Sequence, residues 1–280
     1  MILPHTSLLL GGALLLGTAS LLPVHADDLP SADKPGWTLT FEDTFPGPAL
    51  DAAKWNAGYP HHDVINHELQ AYVPTAFAFD GNGLGIVAKK EQATYGHGQT
   101  MEYTSGAITT FKKFSQQYGW FEARCRMLKG KGYWPAFWLL PLQGWPPEID
   151  IFESLGHEPH SVHCTNHWKN EAGHPAGQGF EYKSPADLTE DFHVYAIDWE
   201  PGSIVWYVDG KKVAECTKGV AAEPMYILFN LAIGGDWPGG PNADTVFPAT
   251  FAVSYVRVYS KDGGYAAAAD PAAAPAPTAN

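Results

Sequence analysis

The sequence predicts an all-β fold, two antiparallel sheets packed face to face, and three observations lead there. Short apolar or alternating runs recur along the chain, each bounded by Gly, Pro, Asn or Asp. No long stretch keeps apolar residues at a helical period. The runs also lack the spacing of βαβ units, which leaves packed antiparallel sheets as the way to bury their apolar faces. In chain order the predicted strands are Trp37–Phe41, Gly83–Lys89, Thr104–Thr110, Tyr118–Met127, Trp134–Leu140, Glu148–Glu153, His193–Trp199, Ser203–Val208, Met225–Ala232 and Phe251–Tyr259. Val208-Asp209-Gly210-Lys211 carries the Asp-Gly hairpin signal and joins Ile204–Val208 to Lys212–Ala214. A chain of 280 residues with this pattern fits one large sandwich domain, expected over residues 27–263.

The two ends differ from that pattern. Residues 1–26 contain no Asp, Glu, Lys or Arg, carry the apolar run Leu8 to Leu22, and end in Val24-His25-Ala26 before Asp27-Asp28. A small-x-small ending after such a run predicts a cleaved secretory signal, hence a secreted or periplasmic protein. A membrane anchor is the poorer reading, because the run is shorter than the roughly 20 residues a bilayer needs and is broken by Gly11, Gly12 and Gly17. Residues 264–280 are rich in Ala and Pro with almost nothing large to bury, which predicts a disordered tail.

Composition narrows the partner. A net charge of −13 repels polyanions, so nucleic acid, anionic lipid surfaces and heavily sulfated glycans are excluded in favour of a neutral polymer. Ten tryptophans supply flat faces that suit sugar rings; most are expected to fill the core, with three or four facing ligand. Cys125, Cys164 and Cys216 leave at least one thiol unpaired, so disulfides do not scaffold this fold, and any pairing is unreadable from sequence.

The segment Glu148-Ile149-Asp150-Ile151-Phe152-Glu153 carries the chemistry. Alternation along a strand sets Glu148 and Asp150 on one face, with Ile149 and Ile151 toward the core. Strict alternation would turn Glu153 inward, and an unpartnered carboxylate in an apolar layer is too costly. Either the strand has ended or one residue bulges; a bulge at Ile151–Phe152 is predicted. Three carboxyls then share one face, which must be concave for the outer two to approach. A retaining glycosidase needs such a pair about 5 Å apart. The alternative is a solvated acidic face, and spacing alone does not choose between them.

The neighbouring motifs do discriminate. Glu148, Asp150 and Glu153 reproduce E-x-D-x-x-E, and the chain also holds Asn66-His-Glu68-Leu-Gln70-Ala-Tyr72, Tyr118-Gly-Trp-Phe-Glu122-Ala-Arg124, Trp134-Pro-Ala-Phe-Trp138-Leu-Leu-Pro141, Trp206-Tyr-Val-Asp-Gly210, Asn230-Leu-Ala-Ile-Gly-Gly235 and Tyr255-Val-Arg-Val-Tyr259. In these segments the sequence resembles glycoside hydrolase family 16, in its bulged, laminarinase-like branch. The resemblance implies a concanavalin-like β-jelly roll with a concave substrate cleft, and endo-hydrolysis of a neutral β-1,3 or mixed β-1,3/1,4 glucan by double displacement. It makes Glu148 the nucleophile, Glu153 the general acid/base and Asp150 the assisting carboxylate. Asn66, Glu68, Trp134, Trp138, His163 and Trp237 become the sugar-contacting candidates, with His163 near the acid/base. Transglycosylation, trimming of an exopolysaccharide, and a non-catalytic glycan-binding jelly roll stay open as alternatives. The expected partner is a polysaccharide, with no nucleic acid or membrane, and the expected state is a monomer.

Three positions depart from the pattern: Pro147 stands where many relatives have Gly, Ala107 where laminarinases often have Arg, and Ser254 where many have the Asp that binds a structural calcium. No cofactor is expected, since backbone carbonyls with Glu42 alone would hold calcium poorly. His157, His160, His163 and His167 are spaced as on a metal-binding helix, but Gly156 and Pro159 argue against that helix, so no metal site is expected.

Overall fold

A computed structural model describes residues 31–60, 64–81 and 83–265. The predicted signal segment lies outside them, as does the predicted tail beyond Tyr265. The described residues form β-strands, turns and loops, with no helix among them. None is part of a helix long and apolar enough to cross a membrane.

Two large antiparallel sheets face each other. The first runs in the order Lys211–Cys216, Ser203–Val208, His193–Glu200, Gly119–Arg126, Ala249–Lys261, Leu84–Ala88, Phe77–Phe79, with Trp37–Asp43 also paired to Ala249–Lys261. The second runs Pro175–Lys183, Ser161–Lys169, Glu148–Glu153, Tyr133–Pro141, Met225–Ile233, Ala107–Thr109, Asn56–Ala57. Alternation places one face of each strand in the shared core. Thus Tyr133, Phe137 and Leu139 are buried inside, while Trp134, Trp138 and Leu140 are only half buried on the opposite face. Phe137 and Phe229 stack at 4.4 Å across neighbouring strands, and Trp55, Trp199 and Trp206 are buried within this core.

The Met225–Ile233 strand is buried at all nine positions. Its second face is covered by a smaller cluster in which Tyr226 and Leu228 pack with Tyr59, Ala71, Tyr72, Tyr95 and Ala107. That cluster raises one wall beside the second sheet.

Several strands fall outside the sequence reading, among them Ser161–Lys169 beside the acids, and two differences show why. The run Thr104–Thr110 is two strands: Tyr103–Ser105 pairs in parallel with Gln70–Tyr72, and Ala107–Thr109 joins the second sheet. Gly106 is the break, and a Cβ there would come within 2.7 Å of Phe77 and 2.9 Å of Ile86, so the chain passes too close to its neighbours for a side chain. Pro175–Lys183 forms an edge strand that apolar periodicity does not reveal, because its alternating half-buried positions include Ala176, Gln178, Phe180 and Tyr182 among glycines. All three cysteines are buried as free thiols.

Candidate active site

The bulge lies in the carboxylate strand. Against Ser161–Lys169, Glu148 faces His167, Asp150 faces Thr165 and Glu153 faces His163, so three steps on one strand match two on the other. Against Tyr133–Pro141, Asp150 faces Trp138 and Phe152 faces Phe137. Ile151 is therefore the extra residue. Ile149, Ile151 and Phe152 all point into the core, at 2% exposure or less, and Glu153 returns to the face of Glu148 and Asp150.

A bulge leaves backbone groups without ladder partners. Two carbonyls at this bulge accept from inside the sandwich. The Trp206 indole donates to the Asp150 carbonyl at 2.8 Å from the opposite sheet, and the Cys164 thiol lies 3.5 Å from the Ile151 carbonyl. The first sheet thus helps fix the shape of the acid-bearing strand in the second.

The three carboxyls line an open cleft of about 760 Å³. Trp134, Trp138, Trp145 and Trp237 line it as well, along with Asn66 and Glu68. Trp134 donates from Nε1 to Glu153 Oε1 at 2.9 Å and meets the ring of Trp237 edge-on at 5.5 Å. Trp145 donates from Nε1 to Glu148 Oε2 at 2.9 Å. His167 Nε2 lies 3.2 Å from Asp150 Oδ2 and 3.5 Å from Glu148 Oε1.

Burial sets the proton affinities. It pushes Glu148 up to about 8, with the adjacent Asp150 charge adding to the rise, while His167 and the Trp145 N–H oppose it. Asp150 is raised by burial. Glu153 is raised well above the usual carboxylate range, first by burial and then by the charges of Asp150 and Glu148. Three carboxyls so placed cannot all ionise near neutral pH, and they share the protons that remain.

At the other side of the cleft a polar chain fixes Trp138. Glu68 is buried, accepts from Gln70 at 2.7 Å and from Tyr72 at 3.3 Å, and burial pushes it up to about 7. Asn230 donates to Tyr72 at 3.2 Å and accepts from the Trp138 indole at 2.8 Å. Asn66 is held at φ 52° where its loop crosses Gly235, at which a Cβ would sit 2.9 Å from the Asn66 carbonyl. The double glycine is thus what lets the Asn66–Glu68 loop close over the strand end.

The sequence candidates divide accordingly. Glu148, Asp150, Glu153, Asn66, Glu68, Trp134, Trp138 and Trp237 all line the cleft. His163 stands just behind it, opposite Glu153 on the neighbouring strand, with its Nε2 3.2 Å from Glu158 Oε2 and its ring on Trp237 at 4.7 Å, so it buttresses the cleft wall beside the acid/base. The histidine among the acids is His167, two pairs further along the ladder. Trp145, Tyr72 and Asn230 were also missed; alternation on Ser161–Lys169 would have signalled His167 once its register was known, whereas the others follow from loop and strand packing.

Among the described residues, two groups of side chains bring possible metal donors within 4.8 Å of one another, Glu148 with Asp150 and His167, and Glu158 with His163 and Glu181. In the first, the Trp145 N–H already points at Glu148. In the second, Glu181 accepts from Lys183 at 2.7 Å and from Ser161 at 3.1 Å.

With that geometry in place, comparison with known proteins is decisive. The model of the glycosyl hydrolases family 16 matches residues 74–255. The chain belongs to this family. It is 37% identical over 279 residues to an endo-1,3-1,4-beta-glycanase, EglC, of Rhizobium meliloti (strain 1021), covering 91% of this chain and 59% of that protein. It is 36% identical to a beta-glucanase of Rhodothermus marinus, covering 80% and 86%. The solved structure of an endo-beta-1,3-glucanase from Pyrococcus furiosus superposes with a TM-score of 0.72 at 38% identity, covering 80% of this chain and 94% of that one. The chain thus spans about three-fifths of the length of the Rhizobium relative. The jelly-roll sandwich expected of family 16 is the fold observed.

Proposed function

We propose that this family 16 chain is a secreted or periplasmic endo-acting β-glucanase that cleaves neutral β-1,3 or mixed β-1,3/1,4 glucan with retention, acting as a monomer. The carrying observation is the bulged strand, which sets Glu148, Asp150 and Glu153 on the floor of a tryptophan-lined cleft. The printed activities of the Rhizobium, Rhodothermus and Pyrococcus relatives support the substrate class. Residues 1–26, free of charged side chains, support export.

In this reading, a Glu148 oxygen attacks the anomeric carbon while Glu153 gives its proton to the departing glycosidic oxygen. The C–O bond breaks and a glycosyl ester forms on Glu148. Glu153, now ionised, takes a proton from water, whose oxygen attacks the same carbon and releases Glu148. Asp150 shares a proton with Glu148 and keeps Glu153 protonated between turnovers through its charge. Trp134 orients Glu153, and the Glu68–Tyr72–Asn230–Trp138 chain holds a flat ring for a sugar face.

No structural calcium is part of this reading. Ser254 is buried with Arg124 Nη1 3.5 Å from its hydroxyl, and Glu42 accepts from Arg257 Nε at 2.7 Å. Guanidinium groups take the oxygen ligands a hard cation would need.

The test is reducing-end release from laminarin, mixed-linkage glucan, agarose and xyloglucan, with Glu148→Gln as control. Cleavage of the first two, abolished in the variant, supports the reading. Tight binding without cleavage of any glycan contradicts it.

A further inference from the structure

The loop entering the carboxylate strand reads Gly144-Trp145-Pro146-Pro147-Glu148. Trp145 is half exposed, at 50%, yet its indole nitrogen is 2.9 Å from Glu148 Oε2 and its ring is 6.2 Å from that of His167. The two residues between Trp145 and Glu148 are prolines, which have no amide hydrogen and hold φ fixed. The loop therefore has no backbone N–H to offer the carboxylate from those two positions, and the stiff Pro-Pro step delivers an indole N–H in their place.

We propose that Trp145 is the positioning residue of the nucleophile: its N–H fixes Glu148 Oε2 and the carboxylate plane, leaving Oε1 as the attacking atom. This rests on the reading of Glu148 as nucleophile. The groups facing Glu148 are Asp150 and Glu153 from its own strand, His167 from the adjacent strand, Tyr226 from Met225–Ile233 and Tyr59 from the cleft wall. Of the neutral neighbours named, Trp145 is the one whose hydrogen bond favours the ionised carboxylate, acting in the same direction as His167 and against Asp150. Because the donor is fixed on one carboxyl oxygen, it also shortens the search for the in-line attack geometry.

The experiment compares the full chain with Trp145→Phe and Trp145→Ala, following kcat and KM on mixed-linkage glucan from pH 4 to 9. Melting curves for each variant confirm the folded state, which the exposed site leaves intact. Phe keeps an aromatic face and removes only the donor. The expected result for Trp145→Phe is a kcat/KM lowered about tenfold at pH 6, with the acid limb displaced upward by about one pH unit, the same factor expressed as a proton affinity. Trp145→Ala shows the same displacement. An unshifted acid limb in Trp145→Phe, or a rise in KM alone, overturns the proposal and leaves the ring as a sugar platform. Failure of the underlying reading is scored separately with Glu148→Gly and azide: formation of an α-glycosyl azide upholds Glu148 as nucleophile whatever Trp145 does, and hydrolysis with inversion rejects it.

Discussion

Replacing Glu148 by Gln removes an ionisable group that the fold holds at a cost in stability. The carboxyl is raised from 4.5 to about 8, first by burial, and its side chain is only 17% exposed. Between those pH values the folded chain binds a proton that the unfolded chain has released, so stability falls as pH rises. The contribution is fully present below about 4.5 and is lost progressively up to about 8. At pH 7, 2.5 pH units above the unfolded value, the part of the shift expressed corresponds to about 3.4 kcal/mol at ~1.36 per unit. Residual exposure and the proton shared with Asp150 reduce this to about 2 kcal/mol. The glutamine side chain keeps the shape and an acceptor for Trp145 without the charge. The variant is therefore expected to melt about 4–8 °C above the wild type at pH 7, for a domain of this size, and level with it at pH 4. Calorimetry across pH 4–8 reads this directly. An equal gain at both pH values would mean a packing effect, and no gain at pH 7 would refute the claim that the cleft holds Glu148 at the expense of the fold.

Other outcomes follow from the same geometry. Glu153→Gln is expected to lower kcat by about 10²–10⁴-fold on polysaccharide, the usual contribution of a general acid/base, with a much smaller loss on aryl glycosides whose leaving group needs no proton. Trp206→Phe removes the indole donor to the Asp150 carbonyl at the bulge; about 1 kcal/mol of stability should be lost in denaturant melts, with kcat falling as the strand relaxes. Glu68, raised by burial to about 7, should make KM vary near neutral pH, and Glu68→Gln should flatten that dependence. A KM that keeps its pH dependence in this variant would assign it to another group.

How far the sequence reached depended on whether a feature was local or required register. The bulge was legible because alternation set Glu153 against an apolar layer, a conflict with one economical solution. The face shared by Trp134 and Trp138 was legible by the same alternation. His167 was not, since its place among the acids depends on how Ser161–Lys169 is paired, and the nearer His163 was preferred. Gly156 and Pro159 argued against a helix through His157, His160, His163 and His167, and in the structure His163 and His167 lie on a strand, with His163 on Glu158 and His167 on Asp150. Gly106 broke a predicted strand for a reason visible only in its neighbours Phe77 and Ile86. The Trp206 bond to Asp150 joins residues 56 positions apart on opposite sheets, beyond any local pattern.

The central claim is that Glu148 and Glu153 work from the same floor as nucleophile and acid/base. Proton NMR of the reducing ends released in the first minutes from a mixed-linkage glucan tests it most directly. The account predicts that the β-anomer appears first and the α-anomer grows in only by mutarotation; α-anomer at the outset would contradict it.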